Sequence, residues 1–146
     1  MRIAVIRLKG KFSLSPDVNA ALSSLKLDRL YSCALLPDNT ASRGMIHACK
    51  DMVSYGPISK EGIALLLSKR GKTLEGKKLS LAKKPEEIAK MASEIDSSDK
   101  KIVELGIAPV FFLSPPVGGF GSKKETAPFG LLGKNAEISN LVKRMA

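Results

Sequence analysis

Asp38-Asn39-Thr40-Ala41-Ser42-Arg43-Gly44-Met45-Ile46-His47-Ala48-Cys49-Lys50-Asp51-Met52-Val53-Ser54-Tyr55-Gly56-Pro57 holds a cap, a helix and a strand in one stretch. Asn39 or Thr40 can accept a hydrogen bond from a free helix amide, which predicts a helix over roughly Ala41 to Met52. At about 100° per residue, with Arg43 as zero, His47 falls at about 40° and Lys50 at about −20°. Met45, Ala48, Cys49 and Met52 fall between about 140° and 240°, so a basic stripe and an apolar stripe occupy opposite faces. Periodicity alone leaves a solvated charged face open as the explanation. Gly44 favours another, because a glycine inside a helix costs about 1 kcal/mol against alanine and asks for a reason such as close approach of another backbone. Arg43 beside Gly44 is therefore a candidate phosphate contact. Val53-Ser54-Tyr55 supplies a short strand, ended by Gly56-Pro57.

Upstream, Arg2 to Leu8 reads as a strand, with Ile3, Val5 and Leu8 alternating with shorter or charged residues before Lys9-Gly10-Lys11 breaks the run. Ser15-Pro16-Asp17 is a helix start: Ser caps, Pro fits the first position and Asp suits the positive end of the dipole. Val18, Ala21, Leu22 and Leu25 follow at i, i+3, i+4 and i+7, one apolar stripe. Tyr31 to Leu36 reads as a second, mostly buried strand. The order strand, helix, strand, helix, strand predicts an α+β fold, a small antiparallel sheet with two helices on one face, in a βαβαβ core of ferredoxin-like type. The expected core covers residues 1–58, and residues 59–146 form a helical and loop extension packed on it.

In that extension Ile58 to Arg70 reads as a leucine-rich helix with Ile63, Leu66 and Leu67 inward. Lys69 to Lys84 carries seven basic residues and one acid, Glu75, which suits either a solvated loop or RNA contact. Gly71-Lys72-Thr73 is not a phosphate loop, because that motif needs glycine where Leu66 stands and a preceding strand. Pro85 opens a helix with Ile88, Met91, Ala92 and Ile95 at core spacing. Ser98 can cap a shorter helix ending at Gly106, and Val110 to Leu113 is a strand candidate. Pro115 to Lys134 holds five glycines, three prolines and three lysines, with Phe120 and Phe129 interleaved. An exposed Phe there can stack on a base, or the two rings can pin the segment to the core. Gly119 and Gly121 do not make a dinucleotide fingerprint, since the third glycine and the strand-turn-helix context are absent. Ile138, Leu141, Val142 and Met145 predict a closing helix.

Across all 146 residues, 24 Lys and Arg stand against 14 Asp and Glu, a formal charge of +10, with 44% apolar residues. That apolar fraction suffices for a buried core. The excess divides as +4, +3 and +3 over residues 1–57, 58–106 and 107–146, so it is not one basic tail. Such a balance points to a polyanionic partner. His47 is the one histidine, too little for a histidine metal site or a two-imidazole relay. Cys33 and Cys49 read as buried reduced thiols of a cytosolic protein. The N-terminal strand is interrupted by charge too early for a signal core, and the longest apolar runs are too short to span a bilayer. No paired carboxylates stand out, so no enzyme, cofactor, metal, membrane or small-molecule substrate is expected.

Asp38-Asn39-Thr40-Ala41-Ser42-Arg43-Gly44-Met45-Ile46 followed by Lys50-Asp51-Met52-Val53-Ser54-Tyr55-Gly56 resembles the signature of the large-subunit ribosomal protein L-thirty family, in which Arg-Gly-Met opens the second helix. The leading strand Ile3 to Arg7 and the Ser15-Pro16 helix ending in Leu25-Lys26-Leu27 fit as well. Lys69-Arg70-Gly71, Leu113-Ser114-Pro115-Pro116 with Gly118-Gly119-Phe120, and the final helix are similar to the longer archaeal branch. The first strand is expected to begin at Arg2, without the long basic arm of eukaryotic relatives. An Asn-Arg pair is commoner in the family where this chain has Asn135-Ala136. The resemblance implies a cytoplasmic, ribosome-associated structural component that binds large-subunit rRNA, with a 5S rRNA contact and neighbouring ribosomal proteins as further partners. A free-standing RNA-binding regulator or chaperone is the alternative. Candidate RNA-binding residues are Arg7, Lys9, Lys11, Arg43, Gly44, Met45, His47, Lys50, Lys69, Arg70, Lys72, Gly119, Phe120, Lys123, Lys124 and Lys134.

Overall fold

A computed structural model describes residues 1–10, 12, 14–82, 84–97, 102–121 and 130–146. The first elements follow the predicted order: β1 (Arg2–Arg7), α1 (Pro16–Ser24), β2 (Ser32–Pro37), α2 (Thr40–Ala48) and β3 (Val53–Pro57). Ser15 caps α1 by accepting from the Val18 amide, and Asn39 caps α2 by accepting from Ser42 N at 2.8 Å. Two boundaries move. Helix α2 stops at Ala48, because the amides of Cys49 and Lys50 turn back onto Ile46 and His47. Strand β3 runs on through Gly56-Pro57, since β1 pairs with it as far as Ile3 opposite Pro57.

The second half continues with α3 (Lys60–Arg70), α4 (Leu79–Ala82), α5 (Pro85–Ser97), a 3-10 turn (Ile102–Leu105), β4 (Val110–Phe112), β5 (Gly133–Lys134) and α6 (Ile138–Met145). Ser59 caps α3, accepting from Gly62 N at 3.2 Å. The basic segment after α3 is no open loop: Lys72 pairs with Lys78 and Thr73 with Ile107 before α4 forms. Ser98, Phe129 and three candidate lysines, Lys11, Lys123 and Lys124, lie outside the described residues.

The strands form one sheet in the order β4-β2-β1-β3-β5. Strand β1 is antiparallel to β2 and β3, and β4 is antiparallel to β2. Strand β5 runs parallel to β3, so the expected antiparallel sheet is mixed. Residues beyond position 58 therefore supply both edges of the sheet as well as packing on it.

Helices α1 and α2 cover one face, where Val5, Ala34 and Val53 meet Leu22, Leu25, Leu27 and Ile46. The other face, with Ala4, Ile6, Cys33 and Leu35, is covered by Ile63, Leu66 and Leu67 of α3, Ile88, Ala92 and Ile95 of α5, and Ile138, Leu141, Val142 and Met145 of α6. The sheet is the middle of three layers. Strand β1, at its centre, is buried on both faces, and Ala4, Val5 and Ile6 are all inaccessible. Each fully buried leucine or isoleucine stabilises the fold by about 1.5–3 kcal/mol before entropy is counted. The two arginines that flank β1 are buried too. Arg2 donates from Nε to the Ile95 carbonyl at 2.7 Å, which ties β1 to the last turn of α5.

Candidate nucleic-acid interface

The N-terminal half of α2 holds the candidate site's first cation. Asp38, one residue before the cap, accepts twice from Arg43: Nε to Oδ1 at 2.6 Å and Nη2 to Oδ2 at 2.8 Å. The fork fixes the guanidinium in one orientation and leaves three of its five N–H donors unused by Asp38. Hydrogen bonding to Arg43 holds the Asp38 carboxyl below its ordinary value, and Asp38 in turn raises the Arg43 pKa. The Arg43 side chain is 69% exposed, so the pair is a solvent-facing positioning device and not a buried charge.

One turn on, His47 is exposed on the same side of α2. Beside it opens a groove of about 420 Å³, lined by Met1, Ile3, Asp38, Arg43, Ile46, His47, Tyr55, Gly56, Pro57 and Lys134. Lys134 arrives from β5, some ninety residues away in sequence, because β5 pairs with β3 at Tyr55 opposite Lys134. Asn135 anchors that pairing: its amide donates to Tyr55 O at 2.7 Å, and its Oδ1 accepts from Glu137 N at 2.9 Å. The close approach demands glycine at position 56, where a Cβ would lie 2.0 Å from Asn135 O. Asn135 is thus a buried structural residue.

Gly44 has the opposite surroundings. It is exposed, and a Cβ there would meet no atom within 4 Å. No contact within the described protein demands this glycine, so its helix cost has no internal packing reason.

The structure brings Arg43, His47 and Lys134 to one groove, leaves Gly44 beside Arg43 on α2 outside the groove's lining, and separates the other candidates from it. Arg7 is corrected outright. Its side chain is 1% exposed, and it donates from Nε to Lys9 O at 2.9 Å and from Nη1 to Leu27 O at 2.7 Å and Asp28 O at 3.2 Å. Arg7 Nη2 is buried with no acceptor among the described residues. Burial lowers the Arg7 pKa, opposed by the carboxylate of Asp28. Arg7 clamps the chain after α1 to the end of β1, with its guanidinium bonded to carbonyls of the chain itself. Lys9 is half-buried beside this clamp. Met45 points inward against the cluster under α1 and α2. Lys50 lies in the turn beyond α2, so the three-residue basic stripe shortens to Arg43 and His47.

Lys69 is exposed at the end of α3, whereas half-buried Arg70 donates to Ser114 Oγ. Lys72 is exposed on the short bridge to Lys78. Phe120 is corrected as a free stacking ring: it stacks on Tyr31 with centroids 5.8 Å apart and packs on the core. Gly119 is exposed at φ 76°, and its carbonyl accepts from Arg144 Nη2. Arg144 also donates from Nε to Val117 O at 2.9 Å, while Ser114 and Val117 amides donate to Met145 and Arg144 carbonyls. The Pro-Gly segment thereby caps the negative end of α6.

Asp38 as the partner of Arg43 was missed in the sequence, whereas Arg144, which the sequence leaves available to the polar side or the negative end of the closing helix, is found bonding the carbonyls of the Pro-Gly segment. Asp38 sits outside the helix, where i, i+4 pairing rules do not reach. Both cysteines are free and buried. Burial pushes the Cys33 thiol up to about 12 and raises Cys49 as well. Among the described residues no cluster of His, Cys, Asp or Glu is placed to hold a metal ion, and no helix is long and apolar enough to cross a membrane.

Residues 3–53, the span that includes Arg43 and Gly44, match the family model described as ribosomal protein L30p/L7e. Over nearly the whole chain there are relatives named large ribosomal subunit protein uL30. One from Methanococcus maripaludis is 34% identical with 99% of each chain covered. One from Archaeoglobus fulgidus is 36% identical, covering 97% of this chain and 98% of its own. A third, from Korarchaeum cryptofilum, is 34% identical over 98% of this chain and 94% of its own. With identity at this level running from the first strand to the last helix, the chain belongs to the ribosomal protein L30p/L7e family.

Proposed function

We propose that this protein is a structural constituent of the large ribosomal subunit that binds large-subunit rRNA, with no catalytic role. The observation that carries the reading is the groove at the β3–β5 side of the sheet. There a carboxylate-oriented arginine and a histidine of α2 meet a lysine from the far end of the chain, with the exposed helical Gly44 next to Arg43 in the helix. A phosphate chain laid against α2 at Gly44 meets Arg43 without a side chain in the way, while Lys134 neutralises a second phosphate from the opposite wall. The recognition is electrostatic and shape-based, as suits packed RNA helices whose deep grooves side chains do not read. Lys69 and Lys72 extend the basic surface, and neighbouring ribosomal proteins complete the assembly. The 5S rRNA belongs to this proposal through family resemblance, as does ribosome-associated location in the cytoplasm.

Sedimentation of cell lysate tests the assembly: the protein is expected in stoichiometric amount with the large subunit, and a predominantly free pool would favour the regulator. Protection of rRNA nucleotides, read on the 23S-type and 5S RNAs separately, locates the contacts. For the groove itself, Arg43→Gln and Lys134→Gln are each expected to weaken rRNA binding and to reduce the slope of log affinity against log salt by about 1. Unchanged slopes in both variants would return the groove to solvent.

A further inference from the structure

We infer that the opposite edge of the sheet carries a second RNA contact, built from Phe112, Arg29 and Lys72, which takes an unpaired nucleotide. The inference rests on the rRNA-binding reading and adds a site to it. Strand β4 is the outer strand next to β2, while Lys134 lies on β5 at the far edge, so the two sites are separated by the width of the sheet. Along β4 the side chains alternate. Phe111 is inaccessible in the core and Phe112 turns outward, 40% exposed.

Two cations stand over that outward ring: the Arg29 guanidinium carbon is 5.1 Å and the Lys72 ammonium 5.8 Å from its centroid. The main chain of each is fixed beside the ring. The turn leading to β2 is closed by Ser32, whose Oγ donates to Arg29 O at 2.6 Å, with Tyr31 at φ 61°. Lys72 is fixed from the other side, where its carbonyl accepts from Ala108 N at 2.9 Å and Thr73 pairs with Ile107. Among the described residues neither cation has an acidic partner within 4 Å.

Two cations without acidic partners beside one ring raise the local positive potential, and a phosphate placed near them lowers that cost. A phosphate held there brings its own base within reach of the exposed aromatic surface, and ring stacking is tolerant of base identity. A smooth double helix offers phosphates without an accessible base face, so the combination suits a bulged, looped or terminal nucleotide. An acidic protein segment could satisfy the cations but would leave the exposed aromatic ring without its stacking partner.

The test uses the full-length protein and purified large-subunit rRNA, with affinity measured over a range of salt. Phe112→Ala is expected to weaken binding roughly tenfold with an unchanged salt slope, because stacking releases no counterions, and Phe112→Tyr is expected to restore it. Arg29→Gln and Lys72→Gln are each expected to lower the slope by about 1. Melting temperature is followed in parallel, and the Arg29→Gln/Lys72→Gln double variant serves as a probe that leaves β4 intact. If Phe112→Ala and the double variant both bind as tightly as the parent while Arg43→Gln binds more weakly, the second contact is refuted and the groove stands. Loss of a neighbouring ribosomal protein from reconstituted subunits with rRNA affinity unchanged would assign the edge to a protein and also refute it. If the parent protein itself does not bind the rRNA, both readings fail together.

Discussion

Replacing Gly44 with alanine should make the isolated protein more stable and its RNA complex weaker. The two signs follow from one observation. Gly44 lies inside α2, its Cβ position is open to solvent, and its φ is not in the left-handed region. Alanine therefore meets no clash in the free protein and recovers the helix-propensity difference of about 1 kcal/mol. For a chain of this length that raises the melting temperature by about 2–4 °C. In the complex the same methyl projects into the space proposed for a phosphate chain. Inserting a methyl into a close-packed contact costs about 1–3 kcal/mol, or roughly five- to more than a hundredfold in Kd. Thermal unfolding by circular dichroism reads the first effect, and filter binding with large-subunit rRNA at fixed salt reads the second. Gly44→Ser should give the same signs with a smaller gain in stability, since serine is the poorer helix former. A lower melting temperature for Gly44→Ala would show that the glycine serves the fold. A higher melting temperature with unchanged Kd would show that nothing approaches it, and the argument for a phosphate beside Arg43 would lose its support.

Three further outcomes are expected. Gly56→Ala places a methyl 2.0 Å from Asn135 O, so β5 must leave β3 at a cost of about 3 kcal/mol, seen as a lower unfolding midpoint in urea and faster exchange of the Asn135 amide; an unchanged midpoint would contradict the close approach. Arg144→Ala removes the bonds to Val117 and Gly119 carbonyls, so exchange at the Val117 and Gly119 amides should accelerate while global stability falls by only about 0.5–1.5 kcal/mol. The reasoning fails if those amides exchange as before. Cys33 is held protonated up to about 12, so at mildly alkaline pH native protein should resist alkylation there while urea-unfolded protein reacts. The unfolded thiol ionises from about pH 8.5 while the native one keeps its proton, so stability should decline as pH rises above that value, and Cys33→Ala should flatten the decline.

The first half of the fold was legible because its signals are local. Ser15-Pro16 and Asn39 satisfy amides a few residues away, and β1, β2 and β3 are short β-branched or apolar runs between breakers. The α2 end was overestimated because the apolar period continues through Cys49 and Met52. Those two side chains reach the cluster under the helix from a turn as well as they would from a helix. The alternation read in β1 was partial for a related reason. Ala4 and Ile6 face a second layer of helices, so the strand is buried on both sides and its code is continuous. Strand β5 left almost no signal: two residues, Gly133 and Lys134, pair with β3 only because Gly56 lets Asn135 approach.

The candidate site divides in the same way. Arg43 and His47 could be found together because helical spacing places i and i+4 on one side of α2, while Gly44 stands out only by its cost inside a helix. Lys134 could be nominated only by its charge, and the same criterion also nominated Arg7, which is buried at a strand end. Charge in a sequence does not distinguish a cation that faces solvent from one that donates to three carbonyls.

By itself the sequence determined the order of the elements from β1 to β3, the caps that start α1 and α2, the family, and the presence of a large positive excess. Each of these is either local hydrogen-bonding chemistry, short-range periodicity or a matter of counting. Only the tertiary structure decided which cations remain outside, that the last forty residues complete both edges of the sheet, and that Lys134 meets Arg43 and His47 across one groove. Those outcomes depend on strand pairings between residues about eighty apart in the chain, whose energy comes from contacts that no local pattern encodes.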